Sequence, residues 1–146
     1  MPNLTLDGYL SMLENDKAEF ISAVSNEPQI LGLRGLHGET MLHFLAIEGN
    51  LQGVELLLSL GAEPDANNRL GTTALIDAAT LGNFAMVSLL LSGKADPNKT
   101  NSDGSTALHY AAEHEHRAVF ELLINHGGVG TLANGFGETP DGLLAS

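Results

Sequence analysis

The chain has 146 residues, 43% of them hydrophobic, which predicts one folded domain with a core and excludes a disordered chain. Six Lys and Arg stand against 18 Asp and Glu, a net charge of −12, so neither nucleic acid nor an anionic membrane surface is expected as a partner: both are held mainly by cations. The absence of cysteine excludes disulfides and thiolate metal sites.

In chain order, residues 1–35 place Leu6, Leu10 and Leu13 at helical spacing. Asp16-Lys17 then turns the chain into a second apolar stretch, with Phe20, Ile21 and Val24 at its inward positions and Asn26-Glu27-Pro28 at its end. Met1 to Leu13 has no basic stretch and carries Asp7 near its middle, so it does not read as a signal peptide. No apolar run approaches the roughly 20 residues needed to span a bilayer. By elimination the expected location is cytoplasmic.

From residue 36 the sequence repeats itself every 33 residues. Gly38, Gly71, Gly104 and Gly137 keep that spacing, and each is followed two residues on by a threonine: Thr40, Thr73, Thr106 and Thr139. A threonine before an apolar stretch is a helix N-cap, which predicts a first helix near 41–48 carrying Leu42 and Ala46. Gly49-Asn50 turns the chain, and Leu51, Val54, Leu57 and Leu58 predict a second helix near 51–59. Gly61 is suited to the left-handed residue that closes it. Residues 63–70 are polar, contain Pro64 and Asn67-Asn68, and predict an extended finger into the next unit. The second unit repeats this with Leu75, Ala78-Ala79, Gly82-Asn83 and Val87 to Leu91, and the third with Leu108, Ala111-Ala112, Glu115-His116 and Phe120 to Ile124. Helices this short are marginal alone, so each pair must stack on its neighbours, burying a continuous core through local contacts.

The segments Thr40-Met41-Leu42-His43-Phe44-Leu45-Ala46, Thr73-Ala74-Leu75-Ile76-Asp77-Ala78-Ala79 and Thr106-Ala107-Leu108-His109-Tyr110-Ala111-Ala112, at a period of 33, resemble the ankyrin repeat. The resemblance covers residues 36–140 and implies an all-α solenoid of stacked helix-turn-helix units with β-hairpin-like finger loops. It divides the chain into a degenerate capping repeat over 1–35, repeats at 36–68, 69–101 and 102–134, and a C-terminal half repeat over 135–146. The motif proline is absent before Pro140, Ile76 replaces the histidine, and Lys94 and Glu115 replace glycines. Lys94 carries a left-handed penalty unless Gly93 absorbs the turn.

Catalytic and metal chemistry find little support. His109 and Glu113 are i, i+4 on a predicted helix, a spacing that can present two metal ligands. The resemblance, however, makes His109 and its twin His43 structural hydrogen-bonding residues. His114 and His116 fall at or beyond the turn. No G-x-S-x-G, H-E-x-x-H or phosphate-binding loop occurs. Asp77 stands alone among apolar neighbours and reads as a solvated groove residue. No enzyme activity, metal or cofactor is expected.

In proteins that look like this one, partners are held by the finger tips and the concave face of the first helices. That resemblance assigns partner binding to Leu36, His37, Glu39, Phe44, Ile47, Arg69, Leu70, Thr72, Asp77, Thr80, Ser102, Asp103, Ser105, Tyr110, Glu113 and Phe136, with Gly135 and Glu138 beside them. Three of the seven aromatic residues, Phe44, Tyr110 and Phe136, fall on this surface, ringed by Glu39, Asp77, Asp103 and Glu113. An apolar centre with an acidic rim predicts a protein partner with a basic rim. The alternative folds Phe44 and Tyr110 against neighbouring fingers and covers Phe136 with the C-terminal helix. The expected function is a protein-binding module, adaptor or inhibitor, monomeric when free. The alternatives are a regulatory or protective partner of a bacterial enzyme or effector, and a self-associating structural piece.

Overall fold

Most helices of this chain start where a short polar side chain can hold amides that have no intrahelical partner. The computed structural model describes residues 4–146. Thr5 Oγ1 accepts from Gly8 N at the head of α1 (Leu6–Asn15), and Asp16 Oδ1 from Glu19 N at the head of α2 (Lys17–Asn26). A 3-10 turn, Pro28–Gly32, leads out of this first pair. Three further units with shorter helices follow: α3 (Met41–Glu48) with α4 (Leu51–Ser59), α5 (Ala74–Thr80) with α6 (Phe84–Ser92), and α7 (Ala107–Glu113) with α8 (Arg117–Asn125). The last helix, α9, covers Pro140–Ala145. Thr40, Thr73, Thr106 and Thr139 are the N-caps of α3, α5, α7 and α9, as the sequence requires. Asn50 and Asn83 cap α4 and α6 through Oδ1, accepting from Gly53 N and Met86 N.

The pairs stack in chain order. Helix α3 packs on α5, α5 on α7 and α7 on α9 in one row, and α4, α6 and α8 form the row behind. No strand occurs among the described residues; the one isolated bridge joins Asn67 and Thr73. The architecture is an all-α solenoid with finger loops. Leu42, Leu75 and Leu108 are buried between the rows, as are Leu57, Leu90 and Leu123 from behind, each contributing about 1.5–3 kcal/mol. Ala46, Ala78, Ala79, Ala111 and Ala112 are buried where first helices approach one another. Ile21 departs from expectation. Phe20 and Val24 are buried on α2, but Ile21 is exposed, because no described helix pair precedes α2 to cover it.

The residue that closes each second helix shows a cost the chain carries. Gly61 and Gly127 take φ of +99° and +91°. Lys94 occupies the same register at φ +73°, while Gly93 stays at −80° and does not absorb the turn. Gly93 is needed for another reason: a β-carbon there would lie 2.7 Å from Leu58 Cδ1 of the preceding unit. Lys94→Gly is expected to raise stability by about 0.5–1 kcal/mol, read as a higher urea midpoint at unchanged slope. A midpoint equal to or below the parent's would show that Lys94 is not strained.

Candidate functional site

Four finger loops project beside the first helices, with tips at Leu36-His37, Arg69-Leu70, Ser102-Asp103 and Gly135-Phe136. The backbone closes each one: Gly35 N donates to Glu39 O, Asn68 N to Thr72 O, Asn101 N to Ser105 O and Asn134 N to Glu138 O, at 2.7–3.0 Å. Adjacent fingers are tied by Arg69 N to His37 O (2.9 Å), Ser102 N to Leu70 O (2.9 Å) and Gly135 N to Asp103 O (2.7 Å). Gly71 sits at φ +75° with the next finger's Asn101 Cα 3.0 Å from where a β-carbon would be, so the ladder has no room for a side chain there.

The residues that brace the tips are Asn68, Asn101 and Asn134, whose site role the sequence reading missed. Asn68 Oδ1 accepts from Leu70 N and Thr72 N, Asn101 Oδ1 from Asp103 N and Ser105 N, and Asn134 Oδ1 from Phe136 N and Glu138 N. The first finger has Gly35 in that register, and Glu39 Oε2 accepts from His37 N instead, at 3.0 Å. The signal was present as asparagine at a period of 33.

These fingers hold apolar side chains out in water. Leu36 is 78% exposed, Leu70 67% and Phe136 73%; Ile47, at the far end of α3, is 51% exposed. Phe136 is therefore not covered by α9. His37, Arg69, Ser102, Asp103 and Glu113 are exposed as well, whereas Glu39, Thr72, Asp77 and Thr80 are half-buried, Thr80 donating through Oγ1 to Ile76 O. Phe44 and Tyr110 are half-buried, one side packed against the core and the rest accessible, and Tyr110 Oη accepts from Asn101 Nδ2 at 2.7 Å. Ser105 corrects the expectation outright. It is only 6% exposed, because its Oγ accepts from Asn134 Nδ2 of the next finger, which closes over it.

His43 and His109 join units. Thr40 N donates to His43 Nδ1 (3.1 Å), which leaves Nε2–H to donate to Thr72 O of the next unit (2.8 Å). His109 repeats this, with Thr106 N at 3.0 Å and Glu138 O at 3.1 Å. Burial holds the His43 imidazole below its usual range. With both ring nitrogens engaged, His109 has none free for a metal, and among the described residues no three His, Asp or Glu are grouped to hold one. Ile76, buried in the same register, makes no such link.

Asp77 departs from the solvated residue expected. Burial first, then the charge of Glu39, pushes its carboxyl from 3.8 up to about 7. Glu39 moves the other way, held down chiefly by hydrogen bonds from its own and the His37 backbone N–H groups, and it pairs with His37 Nδ1 at 3.3 Å. No helix among the described residues is long and apolar enough to cross a membrane.

A family model described as ankyrin repeats (3 copies) matches the chain over residues 14–101 and 42–134. No curated protein matches it.

Proposed function

This chain belongs to the ankyrin-repeat family, and on that premise we propose that it is a non-catalytic binding module that grips one partner protein with its finger tips and concave face, as an adaptor or an inhibitor. Families of this fold take very different targets, so the reading rests on the surface and not on the fold. One observation carries it. Leu36, Leu70 and Phe136 stand in water on a ladder braced by backbone and asparagine hydrogen bonds. A rigid finger spends little entropy on docking, and apolar side chains presented on it bury surface when a partner covers them. The acidic groups nearby, Glu39, Asp77, Asp103 and Glu113, complement a basic rim on that partner.

Leu36→Asp/Leu70→Asp tests the reading, since both side chains are exposed and neither supports the core. Titrated with the protein it captures from its source, the wild type should bind at least about tenfold more tightly than this variant, while the two melt together by circular dichroism. Equal affinity would place the interface elsewhere. Sedimentation of the free protein separates a module from a self-associating piece, which would run as a dimer lost in the same variant.

A further inference from the structure

Phe44, Asp77 and Tyr110 occupy one register on α3, α5 and α7, which stack consecutively, so an acid stands between two aromatic residues along the groove. Tyr110 is held in place by Asn101 Nδ2, and Phe44 is braced against the core. The Asp77 carboxyl makes no hydrogen bond or salt bridge among the described residues; the residue's hydrogen bonds, from its N–H to Thr73 O and from Leu81 N to its carbonyl, are those of the backbone. The charge it feels is that of a second acid, Glu39. The chain's own cations do not answer it. Arg34 Nη1 is engaged by Gly38 O and Asn67 O, and Arg69 lies out on an exposed finger tip.

A half-buried carboxyl without a partner costs free energy, and no side-chain hydrogen bond or salt bridge within the described residues offsets it. The loss is recovered when a cation enters: it pairs with the carboxylate and lies against aromatic faces, an arrangement that strengthens as water leaves. We propose that the groove is a subsite for one basic side chain, lysine or arginine, of a partner polypeptide, seated at Asp77 between Phe44 and Tyr110 while neighbouring apolar residues of the partner meet Leu36 and Leu70. This rests on the proposed binding function and adds the chemistry of the residue bound. Charge supports the same occupant, since the chain is at −12 and Glu39 adds to the field at Asp77.

The test selects peptides from a random displayed library on the wild-type protein. Affinities are then measured for wild type, Asp77→Asn and Leu36→Asp/Leu70→Asp. The selected peptides should share a lysine or arginine. Replacing it with neutral norleucine or citrulline should weaken binding to wild type about tenfold or more, and should have little further effect on Asp77→Asn. Peptides that lose affinity for the finger-tip variant but share no basic residue, or whose basic residue is not coupled to Asp77, overturn the subsite and leave the groove as the binding surface. Peptides indifferent to every variant overturn both readings, and a library that yields no binder overturns the subsite.

Discussion

Leu45→Ala will destabilise the protein by about 2–5 kcal/mol, and adding Gly53→Met to it will restore most of that loss. Leu45 is buried on α3, and a β-carbon at Gly53 of α4 would lie 2.9 Å from its Cδ1. The next two units fill the same space the other way round, with small Ala78 opposite large Met86 and Ala111 opposite Val119, all buried. One large side chain fits per unit, from either helix. Gly53→Met alone therefore overpacks, at about 1–3 kcal/mol, and the double variant adopts the arrangement of the second unit. Removing a glycine from the first turn of α4 adds at most about 1 kcal/mol to the recovery. Urea unfolding of the four proteins reads the coupling, expected at about 2 kcal/mol or more. Additive effects would mean the two positions do not share one space. The consequence reaches the groove, because Leu45 seats α3 and α3 carries Phe44 and Ile47.

Asp77→Asn will make the protein more stable at pH 8, by about 1–2 kcal/mol, a part of what the shift of its carboxyl to about 7 represents once partial exposure is allowed for. In the folded state Asp77 holds its proton up to about pH 7, while in the unfolded chain it ionises near 3.8. Between those values the native state binds more protons, so stability is lost as pH rises through that window and stays low above it. Asparagine does not ionise, so the variant's advantage should be largest above pH 7 and should fall by more than half at pH 5. His43 acts in the opposite sense. Its lowered value costs stability as pH falls below 6.5, equally in both proteins, and it cancels in the difference. Urea midpoints for both proteins at pH 5 and 8 make the comparison; the same difference at both would show that Asp77 ionises like an exposed carboxyl. A substitution that stabilises the free protein while weakening its hold on a basic side chain marks a residue kept for binding at a cost in stability.

The ends of the helices were legible because the signals are local. Thr40, Thr73 and Thr106 before apolar stretches, Asn50 and Asn83 after turns, and alternation at helical spacing act within four or five residues, and the structure starts and stops its helices accordingly. The 33-residue period made the stack necessary, since no single pair buries enough surface to persist alone. Exposure of Leu36, Leu70 and Phe136 followed from their place at the tips.

What the amino-acid order determined by itself is the repeat, its helices and the finger register. Tertiary structure alone decided the state of each groove side chain. Ser105 occupies the register of Glu39 and Thr72, yet it is buried, because Asn134, 29 residues on, closes over its hydroxyl. Tyr110 is braced by Asn101 of its own finger, and His43 meets the carbonyl of Thr72 only after two units have docked. Asp77 is polar and reads as solvated from the sequence, but it shares the half-buried register of Phe44 and Tyr110, and the dielectric around it belongs to the packed helices on either side. Burial, hydrogen-bond partners and pKa are set by atoms that come together only when the units stack, and a periodic sequence assigns the same position to each unit without stating what its neighbour will place against it.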